Sequence, residues 1–463
     1  YQVHPFEAIQ ARIGSKTEIL YSKGCHTHKY LPKINENLMG SSDGFLVEYF
    51  DGENFEENLL FKENLRGSKF WVFEGFAKEI IGKEERSKTS VKFSCAYTPD
   101  ISGEHAFEIF GIGQCRMLID DVELIDNWNN IEPGEAFFTF GSASKKGFAN
   151  FEKGKTYKVE VQYYFEGNFP ALYIGCQPPD KIDLFSEAMD VASEADAVIL
   201  IVGTNSDWET EGNDRADLNL PTNQNALIDA VLNANKNTAL IINTGSPVNI
   251  PWSNKAKAIL QTWFAGQEFG NALFDILSGE INPSGKLPTS FPVRIEDTPA
   301  FKSYPGKNLQ MNYHEKLLVG YRWYEKQSIH PLFCFGHGLS YTKFKYKNLE
   351  INIEDNKEVS CKFSIKNTGE ISGAEIAQCY LRYTKNLENE PSKTLQGFCK
   401  VNIDAHDEKN VEIRLTQRNF SYWSIDTKSW QIRDGSYEIL IGSSVENIYL
   451  KSSIKLGKVL EVL

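Results

Sequence analysis

The feature that most constrains the fold is a set of three short, continuously apolar runs in the middle of the chain. They span residues 197–202, 238–243 and 258–263, and helical stretches such as 185–195 separate them. Runs of this kind are typical of strands in a parallel sheet that helices cover on both faces. Because ligands of such sheets bind at the loops that follow the carboxyl ends of the strands, we expect a functional site there.

Two regions on either side of this part show a different pattern, in which apolar and polar residues alternate. Residues 41–180 carry runs such as 89–97 and 156–164, and alternation with a period of two predicts the half-buried strands of an antiparallel β-sandwich. Residues 346–463 hold about seven short strand-like segments, which favours an immunoglobulin-like or fibronectin type III-like sandwich.

The first forty residues fit poorly as an independent domain. They contain a helix-like stretch over 5–12 and a strand-like stretch over 17–21. We therefore group residues 1–40 with 181–345 in one α/β sandwich of mostly parallel strands, with the first β-sandwich inserted into it. The predicted fold class is thus α/β plus all-β, with a fibronectin type III-like β-sandwich at the C-terminal end.

Length and charge narrow the function classes. The chain has 463 residues, enough for about three domains. Its 49 Lys and Arg residues against 62 Asp and Glu residues give a net charge of −13, which argues against nucleic acid as a partner. No run of eighteen apolar residues is present, so no membrane-spanning segment is predicted.

The eight cysteines are widely spaced, and most lie in apolar runs that are typical of small buried hydrophobic residues. Unpaired cysteines and a single N-glycosylation sequon at Asn419 favour a reducing, intracellular location, although secretion stays open. The cluster Cys25-His26-Thr27-His28 lacks a fourth ligand for a structural zinc. We predict neither a metal site nor a cofactor.

The most informative segment for chemistry is the acidic loop after the first apolar run. Around Trp208 it places four acidic residues and an arginine, namely Asp207, Glu209, Glu211, Asp214 and Arg215. A carboxyl group beside an aromatic side chain can have a raised pKa and serve as a general acid. The alternative is a solvated acidic loop in which Arg215 neutralises its neighbours, and spacing alone does not decide between the two.

The stretch from Glu211 to Ile228, Glu-Gly-x-Asp-Arg-x-x-Leu-x-Leu-Pro-x-x-Gln-x-x-Leu-Ile, resembles the acid/base loop and following helix of glycoside hydrolase family 3. Further blocks similar to that family follow in order, at 243–248, 263–273, 279–292, 313–324 and 335–342. The family's N-terminal (β/α)8 barrel, which carries the nucleophilic Asp in a Ser-Asp-Trp motif, has no counterpart in this sequence. We therefore expect the chain to be the C-terminal part of a longer enzyme, and the isolated chain to be inactive.

The resemblance implies a retaining, exo-acting β-glucosidase that removes terminal non-reducing β-D-glucosyl residues from a small β-glucoside or a disaccharide. Glu211 would be the acid/base residue, with Glu209 as the runner-up, and Asp214 and Arg215 would hold the loop. Asp207 stands in a Ser-Asp-Trp triplet, but it shares a loop with Glu211. Retaining glycosidases need two carboxylates about 5–5.5 Å apart on opposite sides of the sugar, so we do not assign Asp207 as the nucleophile.

Residues 41–180 are similar to the protective-antigen-like β-sandwich inserted in some β-glucosidases of the family, where it overhangs the active-site entrance. Exposed aromatic residues such as Trp128 or Phe169 would stack on an outer sugar, or else anchor the core or a loop. The expected partner is the N-terminal barrel of the same enzyme, and a homo-oligomer is open. The alternatives are β-xylosidase or N-acetylglucosaminidase activity, and a non-catalytic carbohydrate-binding protein derived from such an enzyme.

Overall fold

The computed structural model describes residues 1–38, 44–80, 88–354, 358–385 and 387–459. Within these residues the helices are α1 (Pro5–Arg12), α2 (Leu184–Glu194), α3 (Gln224–Ala234), α4 (Phe269–Ser278) and α5 (Tyr321–Gln327). None of these helices is long and apolar enough to cross a lipid bilayer.

The strands fall into three groups along the chain. The first group, called the insert below together with its connections, consists of β1 (Phe45–Asp51), β2 (Leu59–Leu65), β3 (Lys69–Trp71), β4 (Lys88–Tyr97), β5 (Gly103–Ile112), β6 (Gln114–Ile119), β7 (Val122–Asn127), β8 (Lys145–Phe151), β9 (Tyr157–Glu166) and β10 (Ala171–Gln177). The second group lies between helices and consists of β11 (Val198–Gly203), β12 (Thr238–Asn243) and β13 (Ala258–Gln261). The third group consists of β14 (Phe344–Ile353), β15 (Val359–Asn367), β16 (Gly373–Tyr383), β17 (Thr394–Ile403), β18 (Glu408–Leu415), β19 (Ser421–Ser424), β20 (Ser429–Ile432), β21 (Gly435–Gly442) and β22 (Ile448–Leu456).

The three strands of the α/β unit pair in parallel in the order β11-β12-β13, with Leu200 opposite Leu240 and Leu240 opposite Ile259. The face of the sheet that carries Leu200 and Leu240 packs against α2 and α3. Ile228 of α3 is fully buried in this contact. The carboxylate of Asp183 accepts hydrogen bonds from two backbone N–H groups in the first turn of α2, which fixes the start of that helix. Because the strands are parallel, the loops after β11 and β12 meet at one edge of the sheet.

The insert contains two antiparallel sheets, in the strand orders β2-β1-β4-β9-β6-β7 and β3-β10-β5-β8. Their inward side chains share one core, to which Phe93 and Val161 contribute from the first sheet and Phe107 and Ile174 from the second. Residues 31–38, which the sequence groups with the α/β unit, also pack against this core. The predicted mixture of an α/β unit with all-β regions is thus observed.

The C-terminal domain pairs β14-β15-β18 in one sheet and β17-β16-β21-β22 in another around a shared core, and β19 and β20 form a hairpin beside them. Its described part has nine strands, where the sequence suggests about seven, because the hairpin strands are short. An ion pair joins the domain to the α/β unit, with Lys286 Nζ 3.0 Å from Glu375 Oε1. Both side chains are largely buried.

Residues 17–21 do not form the strand expected from their sequence, and that expectation is wrong. Leu20 and Tyr21 are exposed, and Tyr21 packs on Phe6 of α1 with ring centroids 5.1 Å apart. A strand forms only where a neighbour takes up its backbone hydrogen bonds. None of the described strands pairs with this segment.

Candidate active site

A cleft of about 610 Å³ opens at the edge of the sheet where β11 and β12 end. Its lining comes from the loop after β11, the loop after β12, residues 289–299 and the start of α5. Glu209, Glu211, Asp214 and Arg215 are all among the residues that line it. The cleft therefore lies beyond the carboxyl ends of parallel strands, where ligands of such sheets bind.

Glu211 occupies the apex of a tight turn. Thr210 and Asn213 form an antiparallel β-bridge, which leaves Glu211 and Gly212 as the two central residues. Gly212 has a φ of 85°, a left-handed conformation that glycine adopts without the steric cost of a side chain. The Glu-Gly pair thus has a local cause, because glycine lets the chain reverse and the reversal presents the exposed Glu211 to the cleft.

Glu209 lies two residues earlier and is held in place by hydrogen bonds. Its Oε1 accepts from the Thr204 hydroxyl at 2.5 Å and from the backbone N–H of Gly245 at 3.0 Å. Its Oε2 accepts from the Ser246 hydroxyl at 3.1 Å. A Cβ at position 245 would lie 2.6 Å from Glu209 Oε2 and 2.7 Å from the ring of Phe264, so a larger residue would displace these side chains. Glu209 thus joins the loops that follow β11 and β12.

Arg215 extends this link between the two loops. Its guanidinium donates to the Ser246 hydroxyl at 3.1 Å and to the backbone carbonyl of Asn219 at 3.0 Å. Ser246 is therefore shared between Arg215 and Glu209. Asp214 lines the cleft with an exposed side chain. These contacts place Arg215 in the framework of the loop, whereas Asp214 is open to the cleft.

Asp207 is not among the residues that line this cleft, and it lies close to the insert. Burial raises the pKa of its carboxyl, and the ammonium groups of Lys69 and Lys29 lower it by a smaller amount. The pKa of Tyr30 is raised to about 12, first by burial and then by the charges of Glu135 and Asp207. The Ser-Asp-Trp triplet therefore places its carboxyl beside the insert.

Trp208 lines the cleft and also fixes the loop to an earlier part of the chain. Its Nε1 donates to the carbonyl of Thr27 at 2.7 Å, and the Lys29 ammonium lies 5.7 Å from the centroid of its ring. Lys29 also forms an ion pair of 2.5 Å with Glu135 of the insert. The segment that leads into the insert thus touches both the loop and the insert.

Contacts between the loop and the insert have no signal in the sequence. The side-chain amide of Asn213 donates to the backbone carbonyl of Glu135. A Cβ placed on Gly212 would lie 3.5 Å from the Cα of Phe138. By contrast, Glu209 contacts Gly245 and Ser246 in the loop after β12, and both residues belong to the Asn-Thr-Gly-Ser block at 243–246. The sequence therefore indicated that this loop takes part in the site.

The two aromatic residues expected to stack on an outer sugar lie in different places. Trp128 borders a second hollow of about 550 Å³ in the insert, with Phe55 and Arg116, and the Arg116 guanidinium lies 5.2 Å from the centroid of its ring. Phe169 is 61% exposed and packs against Phe73 with ring centroids 6.2 Å apart. Neither ring lines the cleft that holds Glu211.

In the part of the chain that the structure describes, no group of three or more His, Cys, Asp or Glu side chains is arranged to hold a metal ion. His26 pairs with Asp180, with Nε2 and Oδ2 2.8 Å apart, and its ring centroid lies 5.0 Å from that of His28.

Comparison with known proteins shows sequence similarity along the whole chain. Residues 1–341 match the glycosyl hydrolase family 3 C-terminal domain, and residues 375–445 match a fibronectin type III-like domain. These matches confirm the resemblance to glycoside hydrolase family 3 and the fibronectin type III-like domain that the sequence predicts. The probable β-glucosidase I of Emericella nidulans is 34% identical over 97% of this chain, and that of Aspergillus oryzae is 34% identical over 99%. The chain spans 56% and 57% of the length of these two relatives.

Solved structures show the same similarity. The β-glucosidase from Kluyveromyces marxianus in complex with glucose matches with a TM-score of 0.88 and 29% identity, covering 99% of this chain and 56% of that one. DesR, a β-glucosidase from Streptomyces venezuelae in complex with D-glucose, matches with a TM-score of 0.66 and 26% identity, covering 98% and 53%.

Proposed function

The chain belongs to glycoside hydrolase family 3, and on that premise we propose that it supplies the proton donor of a retaining β-glucosidase. Glu211 is the acid/base residue, and the nucleophilic carboxylate comes from a (β/α)8 barrel joined to this chain in the complete enzyme. The substrates are small β-glucosides or disaccharides with a terminal β-D-glucosyl residue. The observation that carries the proposal is the exposed position of Glu211 at the apex of a turn that lines the cleft.

The reaction needs two carboxyl groups with different tasks. As an acid, Glu211 donates its proton to the glycosidic oxygen while the nucleophile attacks the anomeric carbon and the bond to the leaving group breaks. As a carboxylate, it then takes a proton from the water that hydrolyses the glycosyl–enzyme ester. Such a residue must be reached by both the leaving group and water, and the exposed Glu211 meets this condition.

Glu209 is the weaker candidate for the proton donor. Both of its carboxylate oxygens accept hydrogen bonds from protein donors, including the N–H of Gly245 and the hydroxyl of Ser246. Protonation would place a hydrogen on an oxygen that already faces a donor, so one of these bonds would have to break or turn. We therefore assign Glu209 to the framework of the loop.

The surface beside the cleft supports contact with a further domain. Residues 293–319 contain only one short 3-10 turn, Ile295–Asp297, and no other described helix or strand. Their exposed large apolar side chains are Val293, Phe301, Tyr304, Leu309, Tyr313, Leu317 and Val319. Apolar exposure of this density is typical of a surface that another domain covers. Because this stretch adjoins residues that line the cleft, we assign it to the contact with the barrel.

A row of aromatic rings leads away from the Glu211 turn across the insert. Its members, with successive ring centroids 5.3, 5.2 and 6.2 Å apart, are Phe138, Trp71, Phe73 and Phe169. Apolar ring faces of this kind stack on sugars, so Phe169 stays a candidate for contact with an outer sugar. The insert would then limit the length of the glucoside that enters the cleft.

The test joins this chain to the N-terminal part of the Kluyveromyces marxianus β-glucosidase, of which the chain itself covers 56%. Hydrolysis of an aryl β-glucoside is measured for the chain alone, for the joined protein, and for its variants Glu211→Ala, Glu209→Gln and Glu104→Ala. Glu104 is an exposed residue of β5 and serves as the control. We expect activity in the joined protein only, and a loss of at least about 100-fold with Glu211→Ala.

Azide distinguishes the acid/base residue from other essential groups, because this small anion attacks the glycosyl–enzyme intermediate without help from a base. We expect azide to restore part of the activity of Glu211→Ala and to yield β-glucosyl azide. Full activity of Glu211→Ala, or azide recovery of Glu209→Gln instead, would contradict the assignment. Cellobiose binding by the chain alone, without turnover by the joined protein, would favour a non-catalytic carbohydrate-binding protein.

A further inference from the structure

We propose that Asn213 is a positioning residue through which the insert holds the turn that carries the proton donor. The proposal rests on the assignment of Glu211 as the acid/base residue. It gives the insert a part in the chemistry itself, in addition to any effect on the entrance to the cleft.

One hydrogen bond and one close approach of the backbone join the turn to the insert. The side-chain amide of Asn213 donates a hydrogen bond to the backbone carbonyl of Glu135. At the apex, Gly212 approaches the backbone of Phe138, since a Cβ at this position would lie 3.5 Å from the Cα of Phe138. Both contacts reach backbone atoms of the insert, which a change of side-chain rotamer does not displace.

The part of the insert that receives these contacts, residues 132–143, is itself a hydrogen-bonded hairpin. The N–H of Gly134 donates to the carbonyl of Gly141 at 2.9 Å. The buried side chain of Asn127 donates to the Ser142 hydroxyl at 2.8 Å, which ties the hairpin to the end of β7. These hydrogen bonds join the two arms of the hairpin to each other and to β7, so the hairpin is held to the body of the insert. The carbonyl that accepts from Asn213 belongs to this hydrogen-bonded segment.

On the other side of the turn, the chain is anchored to the α/β unit. Two residues before Glu211, the carboxylate of Glu209 accepts hydrogen bonds from Gly245 and Ser246 in the loop after β12. Two residues after Glu211, the amide of Asn213 reaches the insert. Glu211 thus lies between two residues whose hydrogen bonds reach different parts of the fold: Glu209 bonds to the α/β unit and Asn213 bonds to the insert. Without the hydrogen bond of Asn213, the turn would be held only through Glu209 and could move relative to the cleft.

Proton transfer depends steeply on the placement of the donor, and an error of about 1 Å can cost about 100-fold in rate. A variant of Asn213 would move the proton donor without removing it. The loss should therefore depend on how much proton donation the leaving group needs. A 4-methoxyphenolate leaving group needs a proton, whereas 2,4-dinitrophenolate leaves without one. A purely structural defect would lower both rates equally.

The first measurement is hydrogen exchange on the 463-residue chain. Asn213→Asp keeps the size of the side chain but replaces the amide donor by an acceptor that faces the Glu135 carbonyl. Asn150→Asp, at an exposed position of β8 in the same insert, is the matched control. We expect backbone amides of residues 208–216 to exchange at least about fivefold faster in Asn213→Asp and at the wild-type rate in the control. Unchanged exchange in Asn213→Asp would overturn the proposal.

The second measurement is kinetic and uses the joined protein described above. We expect kcat/KM of Asn213→Asp to fall about tenfold with 4-methoxyphenyl β-glucoside and less than about threefold with 2,4-dinitrophenyl β-glucoside. Equal losses with both substrates would overturn the positioning role. Wild-type rates in Asn213→Asp, combined with loss of activity in Glu211→Ala, would refute this inference and leave the proposed function standing. Full activity of Glu211→Ala would refute both.

Discussion

The carboxylate of Glu209 accepts a hydrogen bond of 3.1 Å from the hydroxyl of Ser246, 37 positions further along the chain. This bond joins the loops that follow two neighbouring parallel strands. The loop that carries the candidate proton donor is therefore held by a carboxylate that lines the same cleft but is occupied as a hydrogen-bond acceptor. Two acidic residues of one short segment thus have different surroundings.

Replacing Glu209 by alanine should destabilise the chain by about 1–3 kcal/mol, because the N–H of Gly245 and the hydroxyl of Thr204 lose their acceptor. Urea unfolding of the purified chain measures the loss. Glu104→Ala removes an exposed carboxylate from β5 and should change the free energy of unfolding by less than about 0.5 kcal/mol. Equal values for the two variants would show that the hydrogen bonds of Glu209 contribute no stability.

Gly203→Ala should be much more damaging, with a loss of about 3 kcal/mol. A Cβ on Gly203, the last residue of β11, would overlap the carbonyl oxygen of Asn243 in the paired strand, and neither backbone can move without breaking the sheet. Gly285→Ala is the control, since no atom lies within 4 Å of the Cβ it would add. Thermal unfolding of both variants tests this, and similar melting temperatures would contradict the close approach of β11 and β12.

Asp207 should make the chain less stable as the pH rises. Burial raises the pKa of its carboxyl in the folded state, so the folded chain holds a proton that the unfolded chain releases near pH 3.9. The contribution of Asp207 is therefore complete below about pH 3.9 and is lost as the pH rises through the folded-state pKa. Asp207→Asn should flatten this part of the stability profile, measured as the free energy of unfolding between about pH 3.5 and 7.

Asp183 provides a control of opposite sign. Backbone N–H groups of Ser186 and Phe185 lower the pKa of its carboxyl, so its contribution is present above about pH 3.9 and is lost as the pH falls through the folded-state pKa. Asp183→Asn should therefore reduce stability at pH 7 more than at low pH. Asp207→Asn could instead lose more stability at pH 7 than at low pH, as expected for Asp183→Asn, or it could keep the wild-type pH profile. Either result would contradict a raised pKa of Asp207 in the folded chain.

The ion pair between Lys286 and Glu375 should matter far more than an exposed pair. Lys286→Met leaves a largely buried carboxylate without its partner at the contact with the C-terminal domain, and we expect a loss of about 3–5 kcal/mol. Adding Glu375→Gln should recover part of that loss. Lys255→Met breaks a pair with Asp229 in which both side chains are nearly half exposed, and should cost less than about 1 kcal/mol. Chemical unfolding of the three proteins decides this.

Much of the fold was predictable, because the spacing of apolar residues along a helix or strand is a local property. The helix expected over residues 5–12 is α1 (Pro5–Arg12), and the strand expected over 238–243 is β12 (Thr238–Asn243). The strand expected over 17–21 does not form, because a strand also depends on a neighbour with which to pair. The local pattern of apolar residues therefore predicts a strand correctly only where the fold provides a neighbouring strand for it to pair with.

The candidate site was predictable only in its outline. The acidic loop follows an apolar strand in the sequence, and the Glu-Gly pair has the composition of a tight turn, so both could be found from local pattern. The different surroundings of Glu209 and Glu211 could not, since two glutamates in one short segment look alike until their hydrogen-bond partners are known. Those partners lie on another loop of the sheet.

By itself, the sequence determined the order of the α/β and all-β regions and the strand end at which the acidic loop lies, since hydrophobic periodicity and turn chemistry act between near neighbours. Both Glu209 and Glu211 line the cleft, and only the tertiary structure decided which of them is held by hydrogen bonds and which is exposed. It also decided that Asn213 bonds to Glu135, 78 positions away. Such contacts depend on how the insert packs against the loop, and this arrangement leaves no local pattern of residues to read.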